Sequence, residues 1–124
     1  MLPKLYRLTK NKDFERVAKF GQSVYSQELT IKWIKNNLLI SRFGFVISTK
    51  AAKRANVRNK IKRRLREIIR ATLSAPKLKG AQTMTIKSGY DMMILAKPEI
   101  KELDFWRLKN KIEGLLNKAR LLKD

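Results

Sequence analysis

The chain has no cysteine and no histidine, and only ten acidic residues stand against thirty lysines and arginines. Without cysteine there is no disulfide and no thiolate zinc site, which fits a reducing compartment. Without histidine the usual neutral-pH general base, the common metal ligand and every Ser-His or Cys-His nucleophile are excluded. No apolar run reaches the length needed to cross a bilayer, and the opening MLPKLYRLTK lacks the apolar stretch of a secretion signal. A cytoplasmic protein with no membrane role is expected, and 124 residues fit a single domain, 1–124, with a modest core.

What the chain does have is positive charge. A net +20 is far beyond what solubility needs, and such a field favours a polyanion, nucleic acid above all.

Residues 10 to 20 carry Phe14, Val17 and Ala18 at one-sided helical spacing, with Thr9 or Asn11 placed to cap the start and Gly21 the end. Gln22 to Ile34 alternates like a strand, with Leu29, Ile31 and Trp33 on one face, and Asn36-Asn37 marks a turn. Arg42 to Thr49 alternates again, predicting a second strand antiparallel to the first. A long helix follows from about Ala55 to Thr72, ending before Pro76. Residues 74–88 are a poorly patterned connector with a short edge strand expected at Met84 to Ile86. YDMMILA, Tyr90 to Ala96, is apolar on both sides, as a central strand must be. Asp104 is a good cap for a last helix whose apolar positions include Phe105, Leu108, Ile112, Leu115 and Leu116. Isolated aromatics Phe14, Tyr25 and Trp33 are candidates for the core or for stacking. The order αββαβα predicts an α+β sandwich of helices on a small sheet.

The long helix carries most of the chemistry. Val57, Ile61, Leu65, Ile68, Ile69 and Thr72 form an apolar stripe, Asn59, Arg63, Arg66 and Arg70 lie opposite, and Arg58, Lys60, Lys62 and Arg64 flank the stripe. From Lys50 to Arg70 there are ten basic residues and one acid, Glu67. Like charges at i, i+4, such as Lys62 with Arg66, cost a few tenths of a kcal/mol each. A helix shaped for stability alone would interleave glutamates, so this surface reads as a phosphate-binding one, with arginine forks, lysine point charges and a neutral amide at Asn59. Neutralising roughly five phosphates would give a logarithmic salt slope of about −3.5 to −4.5.

Three stretches resemble one family. RFGFVISTKAAKRANVRNKIKRRLREIIR, from Arg42, is similar to the signature R-x-G-x-x-x-x-K-K followed by A-x-x-R-N-R-I-K-R-x-x-R-E of the bacterial ribonuclease P protein subunit. RLTKNKDFERVAKFG, residues 7–21, resembles that family's opening L-x-K-x-x-D-F-x-x-V-F-x-x-G, and residues 89–116 resemble its closing strand and helix. The resemblance implies a ribosomal protein S5 domain 2-like αβββαβα sandwich, in which the long first strand breaks in two. It also implies an RNA-binding protein subunit, monomeric within a ribonucleoprotein, whose catalytic RNA removes the 5′ leader of precursor tRNA with Mg2+ held mainly by the RNA. The holoenzyme would be an endoribonuclease in which no protein side chain is catalytic.

Carried over by position, the surface for RNase P RNA comprises Lys50, Lys53, Arg54, Arg58, Asn59, Lys60, Lys62, Arg63 and Arg66. Lys60 replaces the second arginine of R-N-R and gives up its bidentate fork. The cleft for the precursor tRNA 5′ leader is matched by Phe14, Val17, Lys32, Val46 and Ser48. Ala18 stands where phenylalanine is usual, and Thr49 where the first lysine of K-K is usual. Two other functions compete: a ribosomal protein or RNA chaperone of the same fold, and a stand-alone metal-dependent nuclease built on Asp13, Asp91, Glu99 and Asp104.

Overall fold

The computed structural model describes residues 4–73 and 86–122. After a 3₁₀ turn at Lys4–Tyr6 come α1 (Asn11–Phe20), β1 (Gln22–Tyr25), β2 (Leu29–Lys35), β3 (Arg42–Ile47), α2 (Ala55–Leu73), β4 (Tyr90–Ala96), a second 3₁₀ turn (Pro98–Glu102) and α3 (Phe105–Lys118). The expected αβββαβα order is met, and the long first strand does divide. Ser26 ends β1, and its Oγ accepts hydrogen bonds from the amides of Glu28 and Leu29, closing the hairpin into β2.

The four strands lie in the order β1-β2-β4-β3, with β2 and β4 antiparallel and β3 and β4 parallel. The expected direct pairing of β2 with β3 is therefore wrong, because β4 sits between them. The cause is hydrophobicity. β4 is the strand buried on nearly its whole length, so it takes the centre, whereas β2 and β3 each bury one face. Leu29, Ile31, Trp33, Phe43, Met92 and Ile94 face α2 and α3 and form the main core with Leu65, Ile68, Ile69, Leu108, Ile112 and Leu116. The opposite face carries α1 over a smaller cluster of Leu8, Val17 and Met93.

The ends of the elements bear on several of the local expectations. Neither Thr9 nor Asn11 caps α1, since Lys10 holds the cap position without a side-chain bond. Gly21 closes α1 in extended backbone, and its bare Cα is required because a Cβ would collide with the carbonyls of Val17 and Trp33. Most of the expected edge strand at Met84 to Ile86 lies outside the described residues, although Ile86 forms a bridge with Leu122. Asp104 does cap α3, accepting from the Arg107 amide at 2.8 Å.

At the other end of α3 the chain turns through a double backbone closure, Arg120 N to Asn117 O and Leu121 N to Leu116 O. That arrangement puts Arg120 in the left-handed region at φ 60, where glycine is usual and a side chain costs roughly 1 kcal/mol. Lys87 N donates to Leu121 O at 2.7 Å and straps this turn to the entry of β4.

Candidate nucleic-acid interface

The site starts at the turn after β3. The Ala51 amide donates to the Ser48 carbonyl and to Ser48 Oγ, at 3.1 and 3.2 Å, and Ala52 donates to the same carbonyl. Ala51 and Ala52 are buried by this fold-back. Lys50, Lys53 and Arg54 are left exposed at the mouth of α2. Ser48, expected in the cleft, is exposed and holds this turn, and it lies outside the lining of the groove between α1 and the sheet.

α2 meets its predicted phase. Ile61, Leu65, Ile68, Ile69 and Thr72 are buried, Val57 is half-buried, and Asn59, Lys60 and Arg63 are exposed. Arg58 is different from the expectation of a surface cation. Its Nη1 donates to the carbonyls of Ala52 at 2.9 Å and Lys53 at 2.8 Å, tying the first turns of the helix back to the loop. Arg70 is likewise engaged, by Glu67, whose carboxyl is held below its usual range chiefly by that hydrogen bond. Asn59, Lys60, Lys62, Arg63, Arg64 and Arg66 line a groove of about 720 Å³ with Glu67 and Phe105 at the start of α3. Among the described residues, none of those lysines and arginines has a carboxylate within ion-pair distance. Phe105 is a core position by its helical phase, and the sequence offers no signal that it also borders this groove.

A second groove of about 440 Å³ runs between α1 and the sheet. Phe14, Glu15 and Ala18 form one wall, the Phe45–Ile47 stretch of β3 and Met93 of β4 the other, and Lys62 of α2 closes one end. Phe14 and Val46 thus come together as expected. Val17 does not join them: it is fully buried in the small cluster beneath α1 and has no surface to offer. Lys32 sits in register with Met93, on the same face of the sheet, outside the groove's lining. Continuing that face, Tyr25 pairs with Thr30, Thr30 with Leu95 and Leu95 with Val46, giving a cross-strand row with an exposed tyrosine at its edge. Ala18 leaves the α1 wall low where a larger side chain would stand. Lys62 lines both grooves, so the apolar one and the basic one share a cation.

α1 is held in place by a buried carboxylate. Asp91 is fully buried at the start of β4 and accepts from Arg42 Nε at 2.9 Å and Nη2 at 2.7 Å, from Arg16 at 3.0 Å and from Asn36 at 2.9 Å. Burial is the largest single influence on its carboxyl and pushes it up. The bonds from Arg42, Asn36 and Arg16 together outweigh burial and hold it below the usual range. Asp13 lies 3.6 Å from the same Arg42. Both Asp91 oxygens are therefore occupied by cations and an amide, Asp104 caps α3, and no group of three or more acidic residues forms a metal cage among the described residues. The donor set around Asp91 is that of a structural lock.

Comparison with known proteins agrees on one family. The family model described as Ribonuclease P matches residues 2–120. The "Ribonuclease P protein component" of Caldanaerobacter subterraneus subsp. tengcongensis is 34% identical over 124 residues, covering 100% of this chain and 97% of that protein. The structure of the Staphylococcus aureus RNase P protein superposes with a TM-score of 0.79 at 28% identity, covering 95% of this chain and 98% of that one. For the Thermotoga maritima RNase P protein the TM-score is 0.71 at 31% identity, covering 90% and 96%.

Proposed function

The chain belongs to the ribonuclease P protein family, and from that premise we propose that it binds the catalytic RNA of RNase P through α2 and the 5′ leader of precursor tRNA through the α1–sheet groove. The carrying observation is Lys62. Because one lysine lines both grooves, an RNA held on the basic helix and a single strand entering the apolar groove would meet at one positive charge. Phosphates of the catalytic RNA would lie against Lys60, Arg63, Arg64 and Arg66, with Lys50, Lys53 and Arg54 extending the field around the turn. Asn59 supplies the amide able to read a hydroxyl or base edge.

The groove suits a single strand, since Phe14 offers a ring face and Val46 and Met93 an apolar floor, with charge at the end. Arg58 positions the surface by fastening the Lys50–Arg54 turn to the helix. Mg2+, held mainly by the RNA, would organise the attacking water and the leaving oxygen. The protein's part is to add positive charge and substrate grip beside that centre, in a holoenzyme that acts as an endoribonuclease in the cytoplasm. No helix among the described residues is long and apolar enough to cross a membrane.

The direct test is reconstitution. Purified protein added to cognate RNase P RNA at low magnesium should raise the rate of 5′-leader cleavage; no change would refute the assignment. Cleavage by protein alone would instead favour a nuclease.

A further inference from the structure

A third groove, away from both surfaces above, lies at the end of the sheet where β2 finishes and β4 begins. It encloses about 480 Å³, within the range of small-ligand sites, and is walled by Phe20 from the end of α1, Trp33 and Lys35 of β2, Lys87 and Tyr90 at the entry of β4, and Arg120 beyond α3. β4 runs six residues from this groove to the end where Ile47 leads into the basic turn, so the two sites are about 20 Å apart along the strands.

Three features point to a ligand. Lys35, Lys87 and Arg120 converge with no acidic residue in the lining, and among the described residues none of the three has an ion-pair partner. Phe20 is 69% exposed, an uncompensated aromatic surface, with Lys19 Nζ 5.9 Å from its ring centre at the rim. Arg120 occupies the left-handed position that a glycine would take without strain, so its side chain is kept there against the preference of the helix end. Clustered cations around an open ring are the elements of a nucleotide-binding pocket: phosphate on the charges, base against the aromatic face.

We infer that this groove is a second RNA-binding site, taking a phosphate on Lys35, Lys87 and Arg120 and a base on Phe20, separate from the α2 surface. It rests on the RNase P assignment only for which RNA supplies the strand: the catalytic RNA or precursor tRNA.

Arg120→Gly separates ligand binding from folding, because it relieves the backbone while removing the guanidinium. It should melt about 2–5 °C higher than the parent chain yet bind one of the two RNAs about 3- to 10-fold more weakly, with the salt slope reduced by about 0.7–0.9. Lys35→Gln with Lys87→Gln should weaken the same RNA, and Arg107→Gln, which removes one charge as Arg120→Gly does but at an exposed position on α3, should stay within about twofold. Affinity is measured for RNase P RNA alone and for precursor tRNA with the assembled ribonucleoprotein, which tells the two sources apart. Variants that bind both RNAs as tightly as the Arg107→Gln control would overturn the site, as would an Arg120→Gly protein that melts lower. A parent chain binding neither RNA would instead overturn the RNase P assignment and this site with it.

Discussion

The ring of Phe14 on α1 fills the space above Gly44 of β3, so closely that a Cβ on Gly44 would overlap two of its ring atoms and crowd Leu8. The glycine of the R-x-G strand is thus a seat for the aromatic wall of the α1–sheet groove. Gly44→Ala should displace Phe14 and cost about 1–3 kcal/mol, as overpacking does. Chemical denaturation measures it. Adding Phe14→Ala should recover part of that loss, and a strictly additive double mutant would show that the two residues do not share this space.

Asp91→Asn tests what holds α1 on the sheet. It leaves Arg42 and Arg16 without their carboxylate, and since both arginines keep some contact with water the expected cost is about 2–4 kcal/mol at neutral pH. The folded Asp91 titrates below its unfolded value. Its contribution is therefore complete above about pH 4 and disappears as pH falls through the lower folded value. The deficit of Asp91→Asn should accordingly shrink toward about pH 3. A deficit of equal size at both pH values would speak against the ion pairs as its source.

Arg58→Ala and Asn59→Ala, neighbours in the signature motif, should behave differently. Arg58 bonds two loop carbonyls, so its loss should cost about 1–2 kcal/mol of stability together with RNA affinity. Asn59 is exposed and makes no such bond among the described residues, so Asn59→Ala should weaken RNA binding with stability inside about 0.5 kcal/mol. Thermal melts and RNA titrations of the two single variants decide it; equal melting losses would mean that Asn59 is structural too.

These residues also mark how far the sequence could be read. The apolar stripe of α2, the cap at Asp104 and the two-sided burial of Tyr90 to Ala96 follow from local periodicity, and the structure has all three. Alternation in Leu29–Lys35 and Arg42–Ile47 assigns faces but not neighbours, which is why β4 entering between them was not legible. Asp91 meets Asn36, Arg42 and Arg16 across separations of 55, 49 and 75 residues, and only the folded sheet brings them together. Arg58 and Lys62 both flank the apolar stripe on a helical wheel, yet one turns back to the loop and the other lines the groove. Val17 shares a helix face with Phe14, but the depth of its burial depends on Met93 and Leu8 from elsewhere in the chain.

Gly114 offers a stabilising change. It lies inside α3, and a Cβ there would meet nothing within 4 Å. Gly114→Ala should therefore add about 0.5–1 kcal/mol by lowering the entropy lost on folding. A melting temperature that stays level or falls would show an unrecognised need for glycine at that turn.

The assignment as an RNase P subunit stands or falls on cleavage of precursor tRNA by cognate RNase P RNA at low magnesium, with and without this protein. A ribozyme subunit of this kind should restore 5′-leader removal where the RNA alone is slow, and Lys62→Ala, which takes the shared cation from both grooves, should lose most of that gain while remaining folded. Cleavage that is the same with and without the protein would contradict it.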